Sequence, residues 1–283
     1  MKKILLVISL SLLASCSNDD SNSPAAPDPT IIAKVILNPD TAGARQYVFN
    51  SDGLLSEILS ANSIVLLTFT YDSQNRLTST SGSLGNHTFE YGSNDIITAV
   101  DGDPVTYDPA LHKYTFNYVL APGVNTETNP HRIEVETNSD GLVELLTKFY
   151  TYSGSDTEYE IFTVAAGYAN GNVTETTTSG WDSTSSWQYG SNTNPLRAGL
   201  LPACRALALK GGLEMDRAGW LVSAKLPTVH GYATEDPESE SLTYDLNSLN
   251  LPVIQYQQFL SNGEPEGSPY ISAHYYYQGD VIP

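Results

Sequence analysis

The chain has 283 residues, with 13 Lys and Arg against 32 Asp and Glu and a net charge of −19. That balance excludes a phosphate-tracking nucleic-acid binder, which needs a basic face, and two cysteines exclude a disulfide framework or a structural zinc cluster. With 21 Gly, 16 Pro and 18 Tyr, the composition is that of a globular chain able to bury a core, not of a collagen or a disordered tract.

Lys2 and Lys3 precede an apolar run over residues 4–13. The run suits the h-region of a signal peptide and falls short of the roughly 20 residues that span a bilayer. It ends in Leu13, Ala14, Ser15 and Cys16, which together resemble the lipobox of bacterial lipoproteins. The resemblance implies a signal peptide over residues 1–15, cleavage before Cys16, acylation of that residue with fatty acids such as palmitate, and a Gram-negative cell envelope as the address. Several acyl chains, at roughly 0.8 kcal/mol per buried methylene, hold essentially permanently. Residues 16–29 read as the lipidated Cys and a disordered tether, since 17–29 contain no Leu, Ile, Val or aromatic residue. Extended at about 3.1 Å per residue, that tether reaches roughly 40 Å. Asp19 and Asp20 resemble export signals of surface-displayed lipoproteins, which favours the cell surface over the periplasmic face of the outer membrane.

From Ile31 onward one theme recurs: an aromatic-x-aromatic pair, a polar turn, then an aliphatic strand. Tyr47 and Phe49 lead into Asn50, Asp52 and Gly53; Phe69 and Tyr71 into Asp72, Asn75 and Arg76; Phe89 and Tyr91 into Ser93, Asn94 and Asp95. Weaker copies lie at 135–143, 168–173 and 187–196. The spacing of roughly 20 residues fits one hairpin per copy. Residues two apart share a strand face, Asp-Gly and Asn-x turns supply the positive φ of tight reversals, and Thr, Tyr and Val favour the pleated backbone. One helical pattern interrupts the theme: Leu200, Cys204, Leu207 and Ala208 line one face over residues 200–210, with Pro202 in the first turn and Gly211 and Gly212 ending it.

Tyr71-Asp72 with Asn75-Arg76-Leu77 following resembles the YD (Rhs-type) repeat. The segments 187–196 and 241–252 resemble uncharacterised Gram-negative lipoproteins built from such repeats, and that likeness implies a curved antiparallel sheet without known enzymatic activity. The expected fold is therefore all-β: residues 30–283 form a large curved antiparallel sheet or barrel-like meander of hairpin repeats, about 20 strands in all at roughly 10–12 residues each, with one short helix near 200–210. A sheet that large curls, splits or closes.

The search for chemistry is mostly negative. His87, His112, His131, His230 and His274 are scattered without zinc spacing, and no nucleophile elbow, phosphate loop or dinucleotide pattern occurs. No catalytic residue, metal or cofactor is expected. Asp101, Asp103 and Asp108 read as turn residues, the pairs Glu134/Glu136 and Glu158/Glu160 as solvated strand faces, and Cys204 as a small buried hydrophobe. Asp40 and Asp182 begin segments that resemble short envelope O-glycosylation signals. The candidate ligand-binding residues are the aromatics Trp181, Trp187, Tyr189, Tyr275 and Tyr277, read as an exposed surface on which sugar faces stack; three consecutive tyrosines at 275–277 must point alternately. The functional expectation is a lipid-anchored, non-catalytic protein of the envelope with a binding or surface-display role. Its partners would be the membrane, through the acyl chains, and a glycan or envelope protein. A carrier of a hydrophobic ligand inside a curled sheet and a glycoside hydrolase using an Asp/Glu pair are the alternatives.

Overall fold

Apolar residues at every second position, punctuated by Asx-containing turns, produce eighteen strands among the described residues. The structure, a computed structural model, describes residues 26–117, 132–151, 158–179, 183–210, 221–232 and 238–283. Cys16, most of the tether, His131, Trp181 and Asp182 lie outside them.

The first strands are β1 (Ile32–Leu37), β2 (Arg45–Phe49), β3 (Leu55–Ser60), β4 (Val65–Tyr71), β5 (Leu77–Ser81) and β6 (His87–Tyr91). Next come β7 (Ile97–Val100), β8 (Asp103–Asp108), β9 (Lys113–Asn117), β10 (Arg132–Thr137), β11 (Val143–Thr151) and β12 (Glu158–Ala169). The last are β13 (Asn172–Thr178), β14 (Ser183–Thr193), β15 (Lys225–Tyr232), β16 (Glu238–Leu246), β17 (Pro252–Ser261) and β18 (Glu264–Tyr277). Each pairs antiparallel with the next in sequence, and β18 closes on β1 with Tyr275 opposite Val35. The meander is thus a closed barrel, the solution that leaves no open edge around the ring.

Eighteen strands enclose more room than one layer of side chains fills. The long connection between β14 and β15 supplies the filling. It carries α1 (Arg197–Ala208), which packs against β3, β5 and β11 and buries Leu200, Ala203, Ala206 and Leu207. The helix begins before the expected 200–210 and places Pro202 inside it rather than in its first turn. Asn194 staples the insert: its amide nitrogen donates to the Ser223 carbonyl at 3.1 Å and its oxygen accepts from the Leu196 amide at 3.0 Å, tying entry to exit.

One end of the barrel repeats a single turn. Asn50, Asp72, Asn138 and Asn247 each accept, on a side-chain oxygen, from the amides two and four residues on. The fourth residue of each turn, Gly53, Asn75, Gly141 or Asn250, takes a φ of 76°, 62°, 72° or 59°, which only Gly and Asn tolerate cheaply. A register shift follows every one of these turns, the signature of a bulge that takes a residue out of the ladder.

Tyrosines cap carbonyls beside these irregularities. The hydroxyl of Tyr71 donates to the Leu55 carbonyl, Tyr91 to Leu77, Tyr168 to Val143, Tyr189 to Val173, Tyr244 to Pro227 and Tyr277 to Pro252, at 2.6–2.9 Å. Every donor sits on an even-numbered strand and every acceptor near the start of the strand before it. Burial drives all six phenol pKa values up, Tyr189 to about 12, so each stays a protonated donor at any physiological pH.

The wall is apolar inside and polar outside. Val35, Phe49, Leu67, Phe89 and Leu146 point inward, whereas Thr70, Glu90, Thr106, Glu175 and Thr243 are exposed on the outer face. That is the reverse of a lipid-facing barrel, whose outer band is apolar and whose lumen is polar. On the outer face Glu134 and Glu136 both pair with Lys113, the second at 3.5 Å, as expected of a solvated face. Asp101 and Gly102 form the β7–β8 turn, with φ of 55° and 84°, as their sequence suggests.

Candidate ligand-binding site

Register places one inward row across four neighbouring strands. Trp187 of β14 lies opposite His230 of β15, His230 opposite Glu240 of β16, and Glu240 opposite Phe259 of β17. A second row sets Leu242 opposite Gln257 and Gln257 opposite Tyr270. Together they line a cavity of about 260 Å³. The Trp187 and His230 rings stack at 3.7 Å and 2°. His230 Nδ1 lies 3.3 Å from Glu240 Oε2, and both side chains are largely buried, Glu240 at 8% exposed.

The wall is chemically unfinished. Trp187 Nε1 and His230 Nε2 are buried and have no hydrogen-bond partner among the described residues. Leaving a buried donor or acceptor unsatisfied costs about 1–3 kcal/mol, so natural structures seldom do it without a ligand or water. By contrast the floor is satisfied: Tyr275 donates to Gln255 Oε1 at 2.8 Å, and Gln255 Nε2 donates to Ser272 Oγ at 3.1 Å. Phe259 and Tyr270, exposed and 6.1 Å apart, flank the open end.

The five candidate aromatics therefore separate, and the exposed stacking surface expected from the sequence is not what forms. Tyr275 and Tyr277 are each 2% exposed and belong to the core, because 275 and 277 point inward while Tyr276 points outward. Tyr189 is half-buried and committed to the Val173 carbonyl and Ser223. Trp187, 6% exposed, lines the cavity rather than a surface. Trp181 is outside the described residues. Sequence reading missed His230, Glu240 and Gln257; the alternation of His230 with Tyr232 and of Glu240 with Leu242 puts each on the inward face, and that was the signal available.

A larger hollow of about 420 Å³ opens among the repeated turns, but its arginines are already engaged. Arg76 pairs with Asp72 at 2.7 Å, and Arg205 donates to the carbonyls of Gly141, at 2.8 Å, and Asp140. Among the described residues no group of three or more His, Cys, Asp or Glu is placed to hold a metal.

No protein-family model and no curated protein matches the chain. Among solved structures it is similar to a porin-like protein from Bacteroides uniformis ATCC 8492, at 15% identity over 89% of this chain and 98% of that one, with a TM-score of 0.44. It is also similar to a porin-like protein from Bacteroides vulgatus ATCC 8482, at 11% identity over 75% of this chain and 100% of that one, with a TM-score of 0.26.

Proposed function

We propose that this is a lipid-anchored, non-catalytic binding protein of the cell envelope, and that the Trp187–His230–Glu240 cavity holds a single saccharide unit. Acyl chains on Cys16 tether it to the outer membrane, at the cell surface rather than the periplasmic face, and the barrel stands in water. The polar outer wall supports a barrel in water, since charged side chains such as Glu90 and Glu175 on a lipid-facing wall are unfavourable.

The observation that carries the ligand class is a cavity lined by the stacked Trp187 and His230 rings, whose ring nitrogens lack a partner among the described residues, together with a carboxylate and side-chain amides. A pyranose has an apolar face for an aromatic ring and hydroxyls that both donate and accept. A hydroxyl serves an indole N–H and an imidazole nitrogen equally well. Binding is favoured over hydrolysis because Glu240 is the one carboxylate in the cavity wall among the described residues, whereas glycosidases set two carboxylates about 5–10 Å apart.

The test is calorimetric titration of the full-length Cys16→Ser chain with neutral and acidic monosaccharides and short oligosaccharides. Trp187→Phe, which keeps a ring and drops the N–H, is expected to weaken binding about tenfold, the cost of one such hydrogen bond. Unchanged affinity in Trp187→Phe and Glu240→Gln together, or turnover of the bound sugar, overturns the reading. Loss of membrane association in Cys16→Ser cells tests the anchor separately.

A further inference from the structure

A second cavity, of about 240 Å³, lies between α1 and strands β2 to β6. Its floor is apolar, with Ile58 and Leu67 from the wall and Leu200 and Leu207 from the helix. Its rim carries Arg45, His87 and Lys210. In a chain with 32 acidic and 13 Lys and Arg residues, three basic groups around one apolar hollow run against the composition. His87 and Lys210 share Asp101, each at 3.0 Å. Arg45 instead donates to the Ala44 carbonyl at 3.2 Å, and no carboxylate among the described residues pairs with it. The hydroxyl of Thr80, another lining residue, is buried without a partner among the described residues.

We propose that this cavity binds a medium-chain carboxylate, with its alkyl chain against Leu200, Leu207 and Leu67 and its carboxylate on Arg45. The volume fits about eight groups of water size at roughly 30 Å³ each, which is the bulk of an octanoate. An uncharged chain would fill the same floor but leave Arg45 without its anion. The acidic exterior repels anions in general, so selectivity for a carboxylate has to come from a local cation. This site is independent of the saccharide cavity, which is built on β14 to β18.

Titration of the full-length Cys16→Ser chain with octanoate and with 1-octanol separates the possibilities. Octanoate is expected to bind about tenfold more tightly than octanol, as one charge-assisted contact gives, with nuclear Overhauser contacts from the alkyl chain to the Leu200 and Leu207 methyls. Arg45 is exposed, so Arg45→Gln folds normally; it is expected to bring the two affinities together while the methyl contacts persist. Equal affinity for the two probes in the unmutated chain, no binding of either, or alkyl contacts only to the β14–β18 wall would overturn the proposal. Success or failure here leaves the Trp187→Phe result on saccharides untouched.

Discussion

The two sides of the ring differ in height and in what they enclose. Strands β5 to β9 have 4–6 residues and turn Leu77, Phe89, Val100 and Phe116 into the core that the helix completes. Strands β14 to β18 have 8–14 residues and face inward with Trp187, His230, Glu240, Gln255 and Gln257. A strand of 4–6 residues contributes only two or three inward residues, and most of these are apolar where the helix seats. A tall strand has inward positions to spare beyond the helix, and those positions carry the polar groups. The short side supplies mostly cohesion, and the tall side supplies the polar wall of the saccharide cavity.

Core truncation breaks this contrast most sharply. Leu77→Ala, at a fully buried position against the helix, is expected to cost about 3–4 kcal/mol in urea denaturation, while Trp187→Phe should change stability by under about 1 kcal/mol, because it also removes an unsatisfied N–H. Comparable losses from the two would erase the distinction between the sides. Next in size is Gly199→Ala: a Cβ there would sit 2.1 Å from the Gly53 carbonyl oxygen and 2.9 Å from the Phe49 ring, so the helix must shift, at about 2–3 kcal/mol.

The tyrosine caps sharpen the comparison from the opposite direction, since they occur on both sides. Tyr91→Phe on the short side and Tyr244→Phe on the tall side each remove a hydroxyl from a buried carbonyl, so equal losses of about 1–2 kcal/mol are expected. A cost confined to one side would mean that the repeated bond has two different roles. The smallest effect is in acid. Burial raises the Asp101 carboxyl, but the Thr88 amide, Lys210 and His87 outweigh it and hold the pKa below the ordinary value. A depressed folded pKa gives stability that is present above the unfolded value of about 3.9 and is lost as pH falls through the folded value. Asp101→Asn should accordingly flatten the pH dependence of the melting temperature below about pH 4.

Much of the wall was legible from local pattern. The pairs Phe69/Tyr71 and Phe89/Tyr91 mark inward faces, and turns such as Asp101-Gly102 and Asn170-Gly171 announce reversals, with positive φ at both positions of each. The candidate site was legible only in its Trp187. Its other members come from strands 43 and more residues away along the chain, brought together by register alone: His230 meets Trp187 because β15 returns from the helical insert with Val229 opposite Gln188. Tyr275 and Tyr277 were misread as a surface, since periodicity says that two residues share a face without saying which face is inside.

Residue order by itself determined the strands, their turns and the alternation of their side chains, because those depend on backbone preference over a few neighbours. Whether the meander stayed open or closed, which face turned inward, and what filled the lumen were decided in three dimensions. Closure requires β18 to meet β1 from the other end of the described chain, and the helix finds its burial only in the space that the closed ring surrounds.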